Sequence, residues 1–248
     1  MYRNVKDRDL ARWEGRFMAE GEHLVRRLLA SDFKAESLML VGRLVAEIEP
    51  IVPDDLPAYV VSVEVMQQIT GMKFHGGILA VGVRKPAKTL EEVVPRHTDR
   101  LTLVICPDVH NVENLGSLIR LSAGFGADAM ILGERCHDPF WRLSVRVSMG
   151  AIFSLPIYQS PDLNRDLLRL RDEWGVELVA TVLDTDAEPL KRAQRAARLG
   201  LLLGNEAQGL ERQTVALCQR RVTIPMHRST DSLNVAIAGG IFLYHFTG

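Results

Sequence analysis

The sequence predicts an α/β protein in two blocks, the second a mainly parallel sheet covered by helices. Three observations lead there. Most strand candidates are short continuous apolar runs, which implies burial on both faces. Helical patterns separate most of them, the alternation expected when parallel strands are joined by crossovers. Between the blocks, a charged stretch bracketed by Pro86 and Pro95 sustains neither period and reads as a linker.

In the first block "LMLVG" (38–42), "AYVVS" (58–62) and "GILAVGV" (77–83) read as strands, with helical patterns at 22–29 and 63–70. This makes a small α/β domain over 1–84, followed by the linker at 85–100. In the second block, 101–248, strands are predicted at 101–106, 128–133, 152–157, 176–181, 199–204 and 221–225. Helices are predicted at 115–124, 161–174, 189–197 and 210–217, and a last one follows a polar stretch and runs from Leu233 towards Tyr244. Ligands of parallel sheets sit beyond the carboxyl ends of the strands, so the polar residues there are the candidates for function.

The 248 residues are 47% hydrophobic and 25% charged, which suits a packed core and excludes a disordered chain. A net charge of -1 gives no global attraction to nucleic acid, so any such contact must come from local basic patches. The three cysteines are scattered with no CxxC spacing, so neither a disulfide framework nor a metal site is expected. The charged N-terminus lacks the apolar core of a signal peptide. The apolar run at 235–246 falls short of the roughly 20 residues that span a bilayer. A soluble cytoplasmic protein is the expectation.

Three stretches carry candidate chemistry. In "HNVENLGSLIRLSAGFGAD" (110–128), Asn111 and Asn114 flank a helix start, Gly116 permits close approach to the backbone, and Arg120 lies nearly two turns on. The plain alternative is that Asn114 is an N-cap and Arg120 a solvated helix residue. In "LLLGNEAQGL" (201–210), Gly204 and Gly209 surround Glu206, leaving backbone groups open to a ligand; a strand-to-helix loop explains the pattern equally. It is no phosphate loop, since GKS/T and GxGxxG are absent. In "IPMHRSTDSLNVAIAGGIFLY" (224–244), Ser232 suits an N-cap. Asn234, a poor helix former one position inside, is left unexplained by capping.

Together these stretches resemble the three motifs of the SpoU (TrmH-like) branch of the SPOUT methyltransferases. Asn114, Gly116 and Arg120 match the first motif, Gly204, Glu206 and Gly209 the second. Ile224–Met226 with Ser232–Val235 match the third, the most specific of them. The likeness covers 101–246. More loosely, 16–29 and 74–81 resemble the small substrate-binding domain that precedes many SpoU catalytic domains. One departure is Arg228, where the family usually has glycine; an arginine at positive φ would be strained there.

The resemblance implies a deep C-terminal trefoil knot, a homodimer, and S-adenosylmethionine as the methyl donor to a ribose 2′-hydroxyl of rRNA or tRNA. It assigns catalysis to Arg120, Asn114, Glu206, Ser232 and Asn234. Cofactor binding falls to Gly204, Ile224, Met226, Leu233, Leu203 and Thr181, and no metal is implied. Arg120 is the family's proton acceptor, yet a guanidinium stays protonated in proteins and is an awkward base. A clamp on the neighbouring phosphate is the other role open to it. Candidate RNA contacts are Arg142, Arg146 and Arg228, with Arg16, Arg26 and Arg27 in the first block. The rival reading is a catalytically inactive RNA-binding protein on the same scaffold, motivated by Arg228. A dehydrogenase is excluded because no glycine fingerprint follows the first strand of the second block.

Overall fold

The computed structural model describes residues 15–70, 76–205, 208–228 and 231–248, with backbone alone at 69–70. In chain order, β1 (Arg16–Glu20), α1 (Glu22–Leu29), β2 (Ala35–Val41), β3 (Ala58–Val61), α2 (Val63–Thr70) and β4 (Ile78–Val83) come first. Next are α3 (Leu90–Val93), β5 (Leu101–Cys106), α4 (Val112–Gly124), β6 (Ala129–Leu132) and α5 (Arg142–Val147). Then β7 (Ile157–Gln159), α6 (Leu163–Asp172), β8 (Glu177–Thr181), β9 (Glu188–Pro189) and β10 (Arg198–Leu202) follow. The chain ends with α7 (Arg212–Leu217), β11 (Arg220–Thr223) and α8 (Val235–Thr247).

These elements form two compact units, and the division is not a single cut. One unit comprises the chain up to Pro86 plus Pro139–Ser154; the other comprises Ala87–Asp138 and Leu155–Gly248. The first holds a four-stranded sheet of order β1-β4-β2-β3, antiparallel except for β2 with β3. Phe17 on β1 is fully buried and sits 5.1 Å from Phe140, 5.6 Å from Phe153 and 5.8 Å from Phe33, centroid to centroid. Its ring lies over Gly82 on β4, where an added Cβ would come within 2.3 Å of it. Any larger residue at 82 would therefore displace the ring at the centre of this core.

Glu20, at the end of β1, is buried and accepts from Nε of Arg142 on α5. Their side chains are 4% and 14% exposed, so the guanidinium serves as an internal counter-charge. Removing one partner of a buried ion pair leaves an uncompensated charge and costs far more than the pair contributes. Glu20→Gln is accordingly expected to destabilise this unit by about 3 kcal/mol in urea unfolding. A change below about 1 kcal/mol would show the pair to be solvated like a surface one.

The second unit holds a parallel seven-stranded sheet of order β7-β6-β5-β10-β8-β11-β9. Every residue of β5 is buried, as its unbroken apolar run predicts for a strand covered on both faces. Leu103, Ile105, Ile131, Leu167, Trp174 and Leu178 belong to one core cluster. Residues 85–100 are more than a linker. Thr89 and Glu92 form a capping box on α3, and Leu90, Val93 and Val94 join that cluster. Charge and prolines hid three apolar residues at helical spacing.

Two predicted elements differ. The apolar run 152–157 is not one strand: Ala151–Phe153 form a buried 3-10 turn of the first unit, and β7 starts only at Ile157. The stretch 189–197 is not an α-helix; it holds β9 and a short 3-10 turn. There Arg195 donates to the carbonyls of Ala196, Ala197 and Leu101, tying the segment down in non-helical form.

Candidate active site

Two adjoining depressions open beyond the carboxyl ends of β5, β8, β10 and β11. The first is a cavity of about 430 Å³, lined by Thr181, Gly204, Gly209, Ile224, Met226 and Leu233 among others. Its size falls within the roughly 300–1,000 Å³ of small-molecule sites. Apolar Leu210, Val235 and Phe242 complete one wall, while Asp184, Asp231 and Ser232 supply polar groups. Leu203, a sequence candidate, lies outside the lining. It is 1% exposed and packs beside Gly239 of α8.

The loop after β10 is shaped by backbone contact. Asn205 and Gly209 exchange N–H···O=C bonds of 3.0 and 2.9 Å, folding the chain back on itself. Gly204 lies under that closure, where a Cβ would stand 2.5 Å from the Gly209 carbonyl carbon. Glu206 lies outside the described residues.

The second depression is lined by His110, Asn114, Asn205, Ser232 and Asn234, and shares Asn205, Ser232 and Leu233 with the first. Here the first and third sequence stretches meet, since Asn234 Nδ2 donates to Asn114 Oδ1 over 2.9 Å. Both asparagines differ from their sequence readings, since Asn114 is not an N-cap and Asn234 is one. The N-cap of α4 is Asn111, whose Oδ1 accepts from the amides of Glu113 and Asn114. The N-cap of α8 is Asn234 itself rather than Ser232, with Oδ1 accepting from Ala236 and Ile237. Capping fixes the rotamer of Asn234, and its amide is thereby aimed at Asn114. Arg120 borders neither depression and stands exposed on α4, a turn and two-thirds beyond Asn114.

The other arginine candidates are dispersed. In the first unit Arg16 pairs with Glu36 at 2.5 Å, and Arg26 with Glu22 at 2.8 Å. Arg27 donates to the Met149 carbonyl, and Arg142 is taken up by Glu20. Arg146 is 56% exposed, 3.8 Å from Glu20. In the second unit Arg228 is exposed and adopts φ of 56°, the left-handed region where glycine is at home. Arg228→Gly is therefore expected to raise stability by up to about 1 kcal/mol, after allowance for the freer unfolded glycine. A lower melting temperature for the variant would show that local contacts offset the strain.

Burial pushes the Cys136 thiol up to about 11 and that of Cys218 to about 12, which leaves neither reactive near neutrality. Among the described residues no three His, Cys, Asp or Glu side chains gather to hold a metal ion, and no helix is long and apolar enough to cross a membrane. Sequence reasoning missed Asp108, His110 and Asn205. Asn205 Nδ2 donates to the Asp108 carbonyl at 3.3 Å, linking the loops after β10 and β5. All three follow strand ends, the one signal that could have marked them.

The SpoU rRNA methylase family model matches residues 101–244, and an MRM3-like substrate-binding domain matches 3–80. An uncharacterized tRNA/rRNA methyltransferase of Mycobacterium bovis is 36% identical over 96% of this chain and 83% of its own length. The 23S rRNA guanosine 2′-O-methyltransferase RlmP of Bacillus subtilis is 29% identical, covering 94% of this chain and 88% of its own. The AdoMet-bound rRNA methyltransferase of Sinorhizobium meliloti superposes with a TM-score of 0.82 at 29% identity, over 96% and 88% of the two chains. A parallel sheet with joined asparagines at its carboxyl edge, and family motifs in order along it, place this chain in the SpoU rRNA methylase family of SPOUT methyltransferases.

Proposed function

We propose that this chain transfers a methyl group from S-adenosylmethionine to a ribose 2′-hydroxyl of structured RNA, rRNA in preference to tRNA. The observation that carries the reading is the Asn114–Asn234 hydrogen bond in the second depression, which adjoins the first through Asn205, Ser232 and Leu233. A cavity of cofactor size thereby adjoins a polar recess where a hydroxyl could be held. Relatives described as 23S rRNA 2′-O-methyltransferases support rRNA.

The residues present fit the cofactor. Apolar Ile224, Met226 and Phe242 suit a purine, and Asp184, Asp231 and Ser232 supply polar groups for the rest of the cofactor. The cofactor supplies an already activated methyl group. The chain's task is to align the acceptor oxygen and ease loss of its proton, and alignment alone contributes roughly 7–11 kcal/mol in favourable cases. Ser232, Asn114 and Asn234 hold the ribose, Glu206 shares in catalysis, and Arg120 grips the phosphate or takes the proton. Thr181, Leu203 and Leu233 support the cofactor loops. In the inactive alternative this linked arrangement of motif residues would have no use.

The segment 224–234 is proposed as the loop of a trefoil knot around the cofactor. The chain acts as a cytoplasmic homodimer, which the stripe of Ile237, Ile241 and Tyr244 on α8, 58%, 39% and 69% exposed, supports. Residues 1–84 deliver RNA to the catalytic residues 101–248, with Arg26, Arg27 and Arg146 as phosphate contacts in the first unit and Arg228 in the second. The experiment is calorimetry with S-adenosylmethionine followed by mapping of ribose methyls formed on rRNA and tRNA. Micromolar binding and one new 2′-O-methyl are expected; absence of both at millimolar cofactor, with RNA present, overturns the proposal.

A further inference from the structure

Among the described residues, one imidazole lines the recess beside the cofactor cavity, and it belongs to no motif. His110 lines the recess with Asn114, Asn205, Ser232 and Asn234, whose amides and hydroxyl are not bases. His110 Nε2 lies 2.6 Å from Asp108 Oδ1. The Asp108 side chain is 17% exposed, and its buried Oδ1 atom makes no hydrogen bond among the described residues, so the short contact to His110 is an electrostatic one. Arg135 Nε stands 3.6 Å from the second carboxylate oxygen, and Glu211 holds Arg135 at 2.5 Å. Among the described residues these groups make the chain of charge contacts that begins at the imidazole. The Asp108 carbonyl is held in turn by Asn205.

Resting on the methyltransferase reading, we infer that His110 is the proton acceptor for the ribose 2′-hydroxyl and that Asp108 positions it. The ring is 64% exposed and open to an incoming ribose, and the tautomer with its proton on Nε2, beside the carboxylate, leaves the lone pair on Nδ1. The hydroxyl proton passes to Nδ1 as the methyl carbon exchanges its bond to sulfur for one to oxygen. The bonding pair stays on sulfur, so the positive charge lost there reappears on the imidazolium and leaves to solvent as a proton. Asp108 offsets that charge as it forms. Arg120 is then released from an unsuitable role as base and serves as the phosphate clamp.

The test compares full-length wild-type protein with His110→Gln and Asp108→Asn. Three readouts are used: single-turnover methylation across pH, cofactor and RNA affinities, and the NMR titration of the His110 ring. His110→Gln is expected to lower the rate about 100-fold or more and to abolish its fall at acid pH, with both affinities unchanged. Asp108→Asn is expected to shift the ring's titration to lower pH and to move the acid limb with it. A His110→Gln enzyme at wild-type rate overturns the inference. So does a loss confined to RNA affinity, which would make His110 a phosphate contact, or a ring titration indifferent to Asp108→Asn. Wild-type protein that neither binds S-adenosylmethionine nor methylates RNA overturns the underlying reading as well, and is told apart by that control.

Discussion

Arg120→Ala should cut single-turnover 2′-O-methylation by at least about 100-fold, the scale seen when one charge-stabilising donor is removed from an active site. S-adenosylmethionine affinity should stay within about twofold, because Arg120 borders neither depression and has no cofactor contact to lose. Folding should be spared too. The residue is exposed on a thirteen-residue helix, and alanine is the best helix former. Arg120→Lys separates the two roles left open by the sequence: a clamp that needs the planar fork loses most activity, since an ammonium cannot grip phosphate in two places. A fully active Arg120→Lys enzyme would falsify the bidentate clamp.

The second large effect is expected at Gly204. A methyl group there would meet the Gly209 carbonyl carbon at 2.5 Å and the Leu210 nitrogen at 2.6 Å, both backbone atoms that no rotamer change can move. Gly204→Ala must therefore break the paired Asn205 and Gly209 hydrogen bonds or push the loop into the cavity. S-adenosylmethionine affinity is expected to fall at least about 100-fold, or roughly 3 kcal/mol, by calorimetry. Overall stability should change less, because Leu210 only packs against the edge of the core cluster around Leu103 and Trp174 without belonging to it. Wild-type affinity in this variant would mean that the loop does not shape the cofactor cavity.

What the sequence revealed follows from which forces act locally. The parallel sheet was legible because strands buried on both faces read as near-continuous apolar runs, as in β5 and in β10 beyond Arg198. Helix α1 was read to its ends because Leu24, Val25 and Leu28 face one way. β1 was missed, since "RFMAE" is apolar for reasons decided elsewhere: Phe17 is buried by Phe33, Phe140 and Phe153, far off in sequence. For the site, the motifs pointed to Asn234 as a residue with a purpose beyond capping. It turned out to cap as well, one oxygen serving the helix and the amide nitrogen serving Asn114. That double use depends on a partner 120 positions away and has no local signature. The same holds for Arg142, which resembled a surface cation until the fold set it against Glu20.

The split composition of the first unit has a consequence for synthesis. Phe17 and Phe33 emerge from the ribosome early, yet the rings that cover them, Phe140 and Phe153, are translated only after β5, α4 and β6. At about 5–20 residues per second, the 120 positions from Phe33 to Phe153 represent roughly 6–24 s during which an aromatic surface lacks its lid. The nascent N-terminal portion is then a client for holding chaperones, and the uncovered Glu20 keeps water until Arg142 arrives. A fragment ending near Pro86 should expose that same surface permanently and aggregate, so separate study of the first unit requires residues 139–154 to be grafted back.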